Sequence, residues 1–148
     1  MNQKIIMILD TETCDLQGNV YDVGYTVANK QGDILTSFNA LVEEIFTDAE
    51  KMVGAFYAKK LFSHYAPMLD RGDISLMPWA SIVDRIRSDA AEYGVNTLAA
   101  YNLGFDRRVM RQTNELLGNG SIFRLRSKCS TFGNLLARQN YRQLLTKN

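Results

Sequence analysis

The sequence predicts an α/β protein built on one mixed sheet, and three observations carry that prediction. An apolar run, Lys4–Leu9 (KIIMIL), opens the chain between polar neighbours. Two further strand-like segments follow, joined by turn residues. Past Thr47 the hydrophobic spacing changes from alternation to helical intervals, with short apolar runs between the helices. A hairpin followed by strands that alternate with helices describes a sheet whose early strands are antiparallel and whose later strands are parallel. The expectation is a single domain over residues 1–148, with a central five-stranded sheet, an N-terminal antiparallel hairpin and flanking helices.

Each element has a local reason. Lys4–Leu9 is short, continuous and rich in Ile, which fits a central strand buried on both faces. Val20–Ala28 reads as a second strand and Ile34–Val42 as a third, with Asn29–Asp33 (NKQGD) as the turn and Gly32 available for a positive φ. Thr47 and Glu50 have capping-box spacing ahead of Met52, Val53, Phe56, Tyr57 and Leu61, which predicts a helix there. Met68–Asp73 reads as a loop. Pro78 suits the first turn of a helix reaching about Tyr93, and Gly94 its end. Thr97–Tyr101 is a short buried strand, and Asp106–Leu117 a helix stopped by Gly118-Asn119-Gly120. A fifth strand is expected within Ile122–Thr131 and a last helix near Phe132–Leu145.

Length and composition bound the answer. A chain of 148 residues buries about two-thirds of its unfolded surface. With 46% hydrophobic and 22% charged residues, it is neither a disordered nor a membrane sequence. The opening apolar run is too short to span a bilayer and lacks the flanks of a secretion signal, so the expected location is cytoplasmic. Cys14 and Cys129 have no zinc-ligand spacing, and a disulfide between them is the minor reading in that compartment. Charge is unevenly placed. Residues 1–106 hold 8 Lys/Arg against 15 Asp/Glu, whereas residues 107–148 hold 9 against 1. The basic third, with Arg107, Arg108, Arg111, Arg124, Arg126, Lys128, Arg138 and Arg142, either meets phosphates or is simply solvated.

Candidate chemistry sits at two strand ends. Asp10 and Glu12, two apart at the end of the first strand, present their carboxylates to one side. Two like charges held together need a neutralising cation, and hard oxygen ligands suit Mg²⁺ or Mn²⁺. Taken alone, such a pair is more often a turn residue beside a solvated acid. A second junction changes that balance: Asn102, Phe105 and Asp106 form an N-x-x-F-D run where the Thr97–Tyr101 strand passes into a helix.

Asp10, Glu12 and Thr13, followed ninety residues after Glu12 by Asn102, Phe105 and Asp106, resemble the first two motifs of the DEDD (DnaQ-like) 3′–5′ exonuclease superfamily of phages and bacteria. Asp22-Val23-Gly24-Tyr25 is similar to that family's second strand. The resemblance implies a ribonuclease H-like fold, whose strand order matches the one read above. It also implies two-metal hydrolysis of phosphodiesters at the 3′ end of single-stranded DNA or RNA. Asp10, Glu12 and Asp106 would be the catalytic metal ligands, and Thr11, Thr13, Asn102 and Phe105 would contact substrate. Phe105 would stack on a base, or else pack in the core.

The family's third motif, His-x₄-Asp or Tyr-x₃-Asp, is absent. No aspartate follows Asp106; His64 lies before the second motif; Tyr141 has Leu145 four residues later. Glu115, nine residues past Asp106, falls on the opposite side of the same predicted helix. Three accounts stand: a C-terminally incomplete exonuclease whose catalytic helix is missing, a site completed by another chain, or a non-catalytic nucleic-acid- or protein-binding module on the same fold. Without that helix an apolar sheet face is uncovered, so a homodimer or a hetero-partner is expected to cover it. A haloacid-dehalogenase-like phosphatase is disfavoured, because Glu12 stands where that chemistry needs a second aspartate.

Overall fold

The computed structural model describes residues 4–118 and 128–131. Among them, six strands form one sheet in the order β4-β3-β2-β1-β5-β6. β1 (Ile5–Asp15), β2 (Gly18–Asn29) and β3 (Ile34–Val42) form an antiparallel meander. β5 (Thr97–Ala100) and β6 (Lys128–Thr131) run parallel to β1 on its other side. This is the ribonuclease H-like arrangement, with β1 at its centre. The five expected strands are all present. β4 (Ser75–Met77) adds a short edge, parallel to Ala40–Val42 of β3. Three residues carry no readable periodicity, so nothing in the sequence marks that strand. The first part of the expected fifth-strand segment, residues 122–127, and the expected helix near Phe132–Leu145 lie outside the described residues.

β1 differs from expectation in two ways. It continues past Leu9 to Asp15, because β2 pairs with it from Ile5 to Asp15. It is also buried on one face rather than both. Met7, Leu9 and Thr11 lie opposite Val27, Tyr25 and Val23 of β2, and all six are buried. The other face shows Ile6, Ile8, Asp10 and Glu12, none of them fully buried. A one-residue slip would exchange these two sets, so burial of the apolar set locks the register.

Two helices cover the buried face. α4 (Trp79–Glu92) is tied to β2 by the Tyr25 hydroxyl, which donates to Asp89 at 2.7 Å; Arg85 also bonds Asp89, at 2.9 Å. Its first backbone N–H is capped by Glu44 at 3.0 Å. α5 (Leu103–Leu116) is tied to β2 by the Val20 amide, which donates to Thr113 Oγ1 at 3.0 Å. Trp79, with no exposed surface, joins the two helices through its indole N–H to Asn114 Oδ1 at 3.1 Å. No helix among the described residues is long and apolar enough to cross a membrane.

The connection between β3 and β4 departs furthest from the sequence reading. α1 (Glu43–Phe46) and α2 (Ala49–Met52) are single turns, followed by α3 (Phe56–Arg71). Asp48, not Thr47, caps α2, accepting from the amides of Glu50 and Lys51; Thr47 instead donates its hydroxyl back to the Glu43 carbonyl. Aspartate is the stronger cap, and its carboxylate also pairs with Lys51. The expected loop at Met68–Asp73 is mostly helix: α3 runs to Arg71 and closes on Gly72 at φ +74°. Gly94 ends α4 as expected. Trp79→Ala should destabilise the fold by about 3–5 kcal/mol, because it empties the α4–α5 junction. Urea unfolding followed by circular dichroism measures this.

Candidate active site

β5 pairs with β1 only as far as Ile8. Beyond that point β1 is held by β2 alone, and Asp10 and Glu12 stand at the C-terminal mouth of the parallel pair. The chain leaves β5 through Tyr101 and Asn102 into α5, which brings the start of α5 to the same mouth. α5 begins at Leu103, three residues earlier than the sequence indicates, because the Asn102 side chain accepts from the Phe105 amide at 3.3 Å. Asp106 thus lies in the first turn, near the positive end of the helix dipole. It is 4% exposed, and it accepts a hydrogen bond from the Thr11 hydroxyl at 2.8 Å.

The three sequence-predicted carboxylates come within electrostatic reach of one another. Partial burial, then the charges of Asp10, Asp22 and Asp106, push Glu12 up to about 7. Asp106 is raised to about 6 by burial and by Asp10, against the lowering effect of the Thr11 bond. Asp10 faces solvent at the strand mouth, yet the surrounding protein still holds it above its ordinary range. Among the described residues no lysine or arginine forms an ion pair with these acids. Nor, among those residues, do three metal-binding side chains converge as a ligand set does. Carboxylates without a counter-charge repel, so closer approach needs a cation. The donor set itself, all carboxylate oxygen, matches Mg²⁺ or Mn²⁺ and not a soft metal.

Asp22 is the acid that sequence reasoning missed. It lies directly across from Glu12 in the β1–β2 register, on the same sheet face, and is raised to about 6 by burial and by Asp10. The Tyr65 hydroxyl of α3 donates to it at 2.9 Å. Next to it, the register shifts: Glu12 faces Asp22 but Thr13 faces Val20, leaving Tyr21 as the extra residue of a β-bulge. The bulge sets two consecutive side chains against one neighbour, since the Tyr21 ring meets the Tyr65 ring edge-on at 6.5 Å. The signal available in the sequence was hairpin register counted back from the turn after Asp15, and the bulge defeats that count.

The remaining candidates take different places. Thr11 points into the buried face, and its hydroxyl is engaged with Asp106. Thr13 is half-buried opposite Val20. Asn102 is exposed and caps α5. Phe105 is partly buried against the core, with the Arg108 guanidinium 5.2 Å from its ring centre. Arg108 also donates to the Leu16 carbonyl at 2.9 Å, which pins the β1–β2 turn to α5. His64 on α3 and Glu115 near the end of α5 are exposed, and Cys14 is a buried free thiol.

No protein-family model and no curated protein sequence matches the chain. Among solved structures, it is similar to one described as Exonuclease X in complex with 5′ overhanging duplex DNA, at 19% identity and a TM-score of 0.37. That match covers 71% of this chain and 53% of the other, so the chain spans about half the length of the structure it matches.

The raised acids set a pH dependence. Their folded values, about 6 for Asp22 and Asp106 and about 7 for Glu12, exceed the ordinary 3.8 and 4.5. The native state therefore binds more protons than the unfolded state in that window, and stability falls as pH rises. In chelator, the melting temperature should drop between about pH 4.5 and 7.5, and Glu12→Gln should flatten the drop. A melting temperature that rises across this range would contradict the assignment.

Proposed function

We propose that this chain carries a two-metal 3′–5′ exonuclease site of the DEDD type, acting on the ends of single-stranded DNA or RNA. The observation that supports it most is that Asp10 and Glu12 of β1 and Asp106 of α5 stand within electrostatic reach of one another at one end of the sheet. These three residues would hold Mg²⁺ or Mn²⁺. When bound, such cations acidify a water molecule and neutralise the developing charge on the departing oxygen. The protein's own part is positioning. Thr11 fixes the Asp106 carboxylate, and Asn102 fixes the turn that presents it. Phe105, backed by Arg108, is the aromatic surface nearest Asp106 on α5 and would take a terminal base by stacking. Thr13 would lie beside the sugar.

A second reading, a non-catalytic nucleic-acid-binding module, is favoured by one sequence fact. Residues 107–148 hold 9 Lys/Arg against 1 Asp/Glu. Arg107 and Arg111, exposed on α5, would then contact phosphates. Incubation with 5′-labelled single strands in Mn²⁺ separates the two readings. The first predicts a ladder shortened from the 3′ end, with the rate reduced roughly 100-fold or more in Asp10→Ala. Salt-sensitive retention of the strand without shortening would establish the second reading instead.

A further inference from the structure

Three features of β2 and α3 are not used by the two motifs read from the sequence. Asp22 faces Glu12 across the β1–β2 pair. Tyr65 spends its single hydroxyl proton on one Asp22 oxygen, at 2.9 Å, which fixes that carboxylate beside Glu12. The third feature is Tyr21, which is 0% exposed and whose hydroxyl has no hydrogen-bond partner among the described residues. Burying a hydroxyl without a partner costs stability and calls for a physical reason. The hydroxyl is carried by the bulge residue next to Asp22, and the Tyr21 ring meets edge-on the ring of the same Tyr65 that holds Asp22.

We propose that Asp22 is the fourth acid of this site, and that Asp22, Tyr65 and Tyr21 form the β2 and α3 side of a hydrated divalent-cation site shared with β1 and α5. This rests on the cation reading of Asp10 and Glu12 given above. Glu12 and Asp22 supply two hard oxygen donors from adjacent strands on one face. Tyr65 holds Asp22 in place without carrying charge. The Tyr21 hydroxyl supplies the hydrogen-bonding partner for a cation-bound water next to Glu12. The bulge is what makes this arrangement available: it turns Tyr21 and Asp22 to the same neighbour, which strict alternation along β2 would forbid. A carboxylate and two tyrosine hydroxyls from β2 and α3 thereby supply the cation site with groups that the two motifs themselves do not contain.

Mn²⁺ binding to the full chain, followed by electron paramagnetic resonance and by the melting shift over a chelator control, tests this without reference to cleavage. Asp22→Asn keeps an acceptor for Tyr65 while removing the charge; it should weaken Mn²⁺ binding at least about tenfold, as Asp10→Asn does. Tyr21→Phe should melt no lower than the parent in chelator, since it removes an unpartnered hydroxyl, yet bind Mn²⁺ several-fold more weakly. Asp70→Asn, an exposed acid of α3 away from the cluster, should bind as the parent does. Parent-like binding in Asp22→Asn, with loss in Asp10→Asn, overturns the inference and leaves the three-carboxylate reading standing. Parent-like binding in Tyr21→Phe overturns the role given to its hydroxyl. An unmodified chain that binds no Mn²⁺ overturns both readings together.

Discussion

The structure depends on the pairing of one strand. β1 is hydrogen-bonded to β2 along its length and to β5 along its first half, and this double pairing fixes which of its side chains face the core. Met7 and Leu9 must be inside, so Asp10 and Glu12 must be on the open face. Hydrophobic burial of a large apolar side chain stabilises by about 1.5–3 kcal/mol, and several such residues on β1 and β2 act in the same direction. The repulsion among the acids works against this, but it is confined to the end of the strand. The sheet can therefore tolerate a cluster of like charges that would not survive at its middle.

The second constraint is local and concerns α5. Asn102 starts the helix, the first turn carries Asp106 inward, and Thr11 receives it from the sheet side. Two elements far apart in sequence are joined there by the 2.8 Å hydrogen bond from Thr11 to Asp106. Because Thr11 belongs to the buried face and its neighbours Asp10 and Glu12 to the open one, that bond sets the height of Asp106 relative to both carboxylates. A metal-dependent site would need this kind of fixed geometry, with freedom left only in the charged tips.

Much of this was legible in the sequence. Alternation and turn residues located β2, β3 and the hairpin, and spacing put Asp10 and Glu12 on one side of a strand. What the sequence concealed depends on tertiary pairing. β1 extends beyond its apolar run because β2 continues to pair with it, not because Thr11–Asp15 are strong strand formers. Asp48 outcompeted Thr47 as a cap one position away, which moved the helix start. Asp22 reads in sequence as an ordinary polar residue of a half-buried strand. Its place beside Glu12 follows from a bulge at Tyr21 that no local pattern announces. Tyr65 sits on a helix whose long-range neighbour could be found only in three dimensions.

The proposed site requires Asp10, Glu12, Asp22 and Asp106 to share one cation. Anomalous diffraction from crystals soaked in Mn²⁺ addresses it most directly. A manganese peak coordinated by Asp10 and Glu12, with Asp22 or Asp106 completing the oxygen shell, is the predicted result. A crystal that takes up manganese elsewhere, with these carboxylates remaining apart, would contradict it.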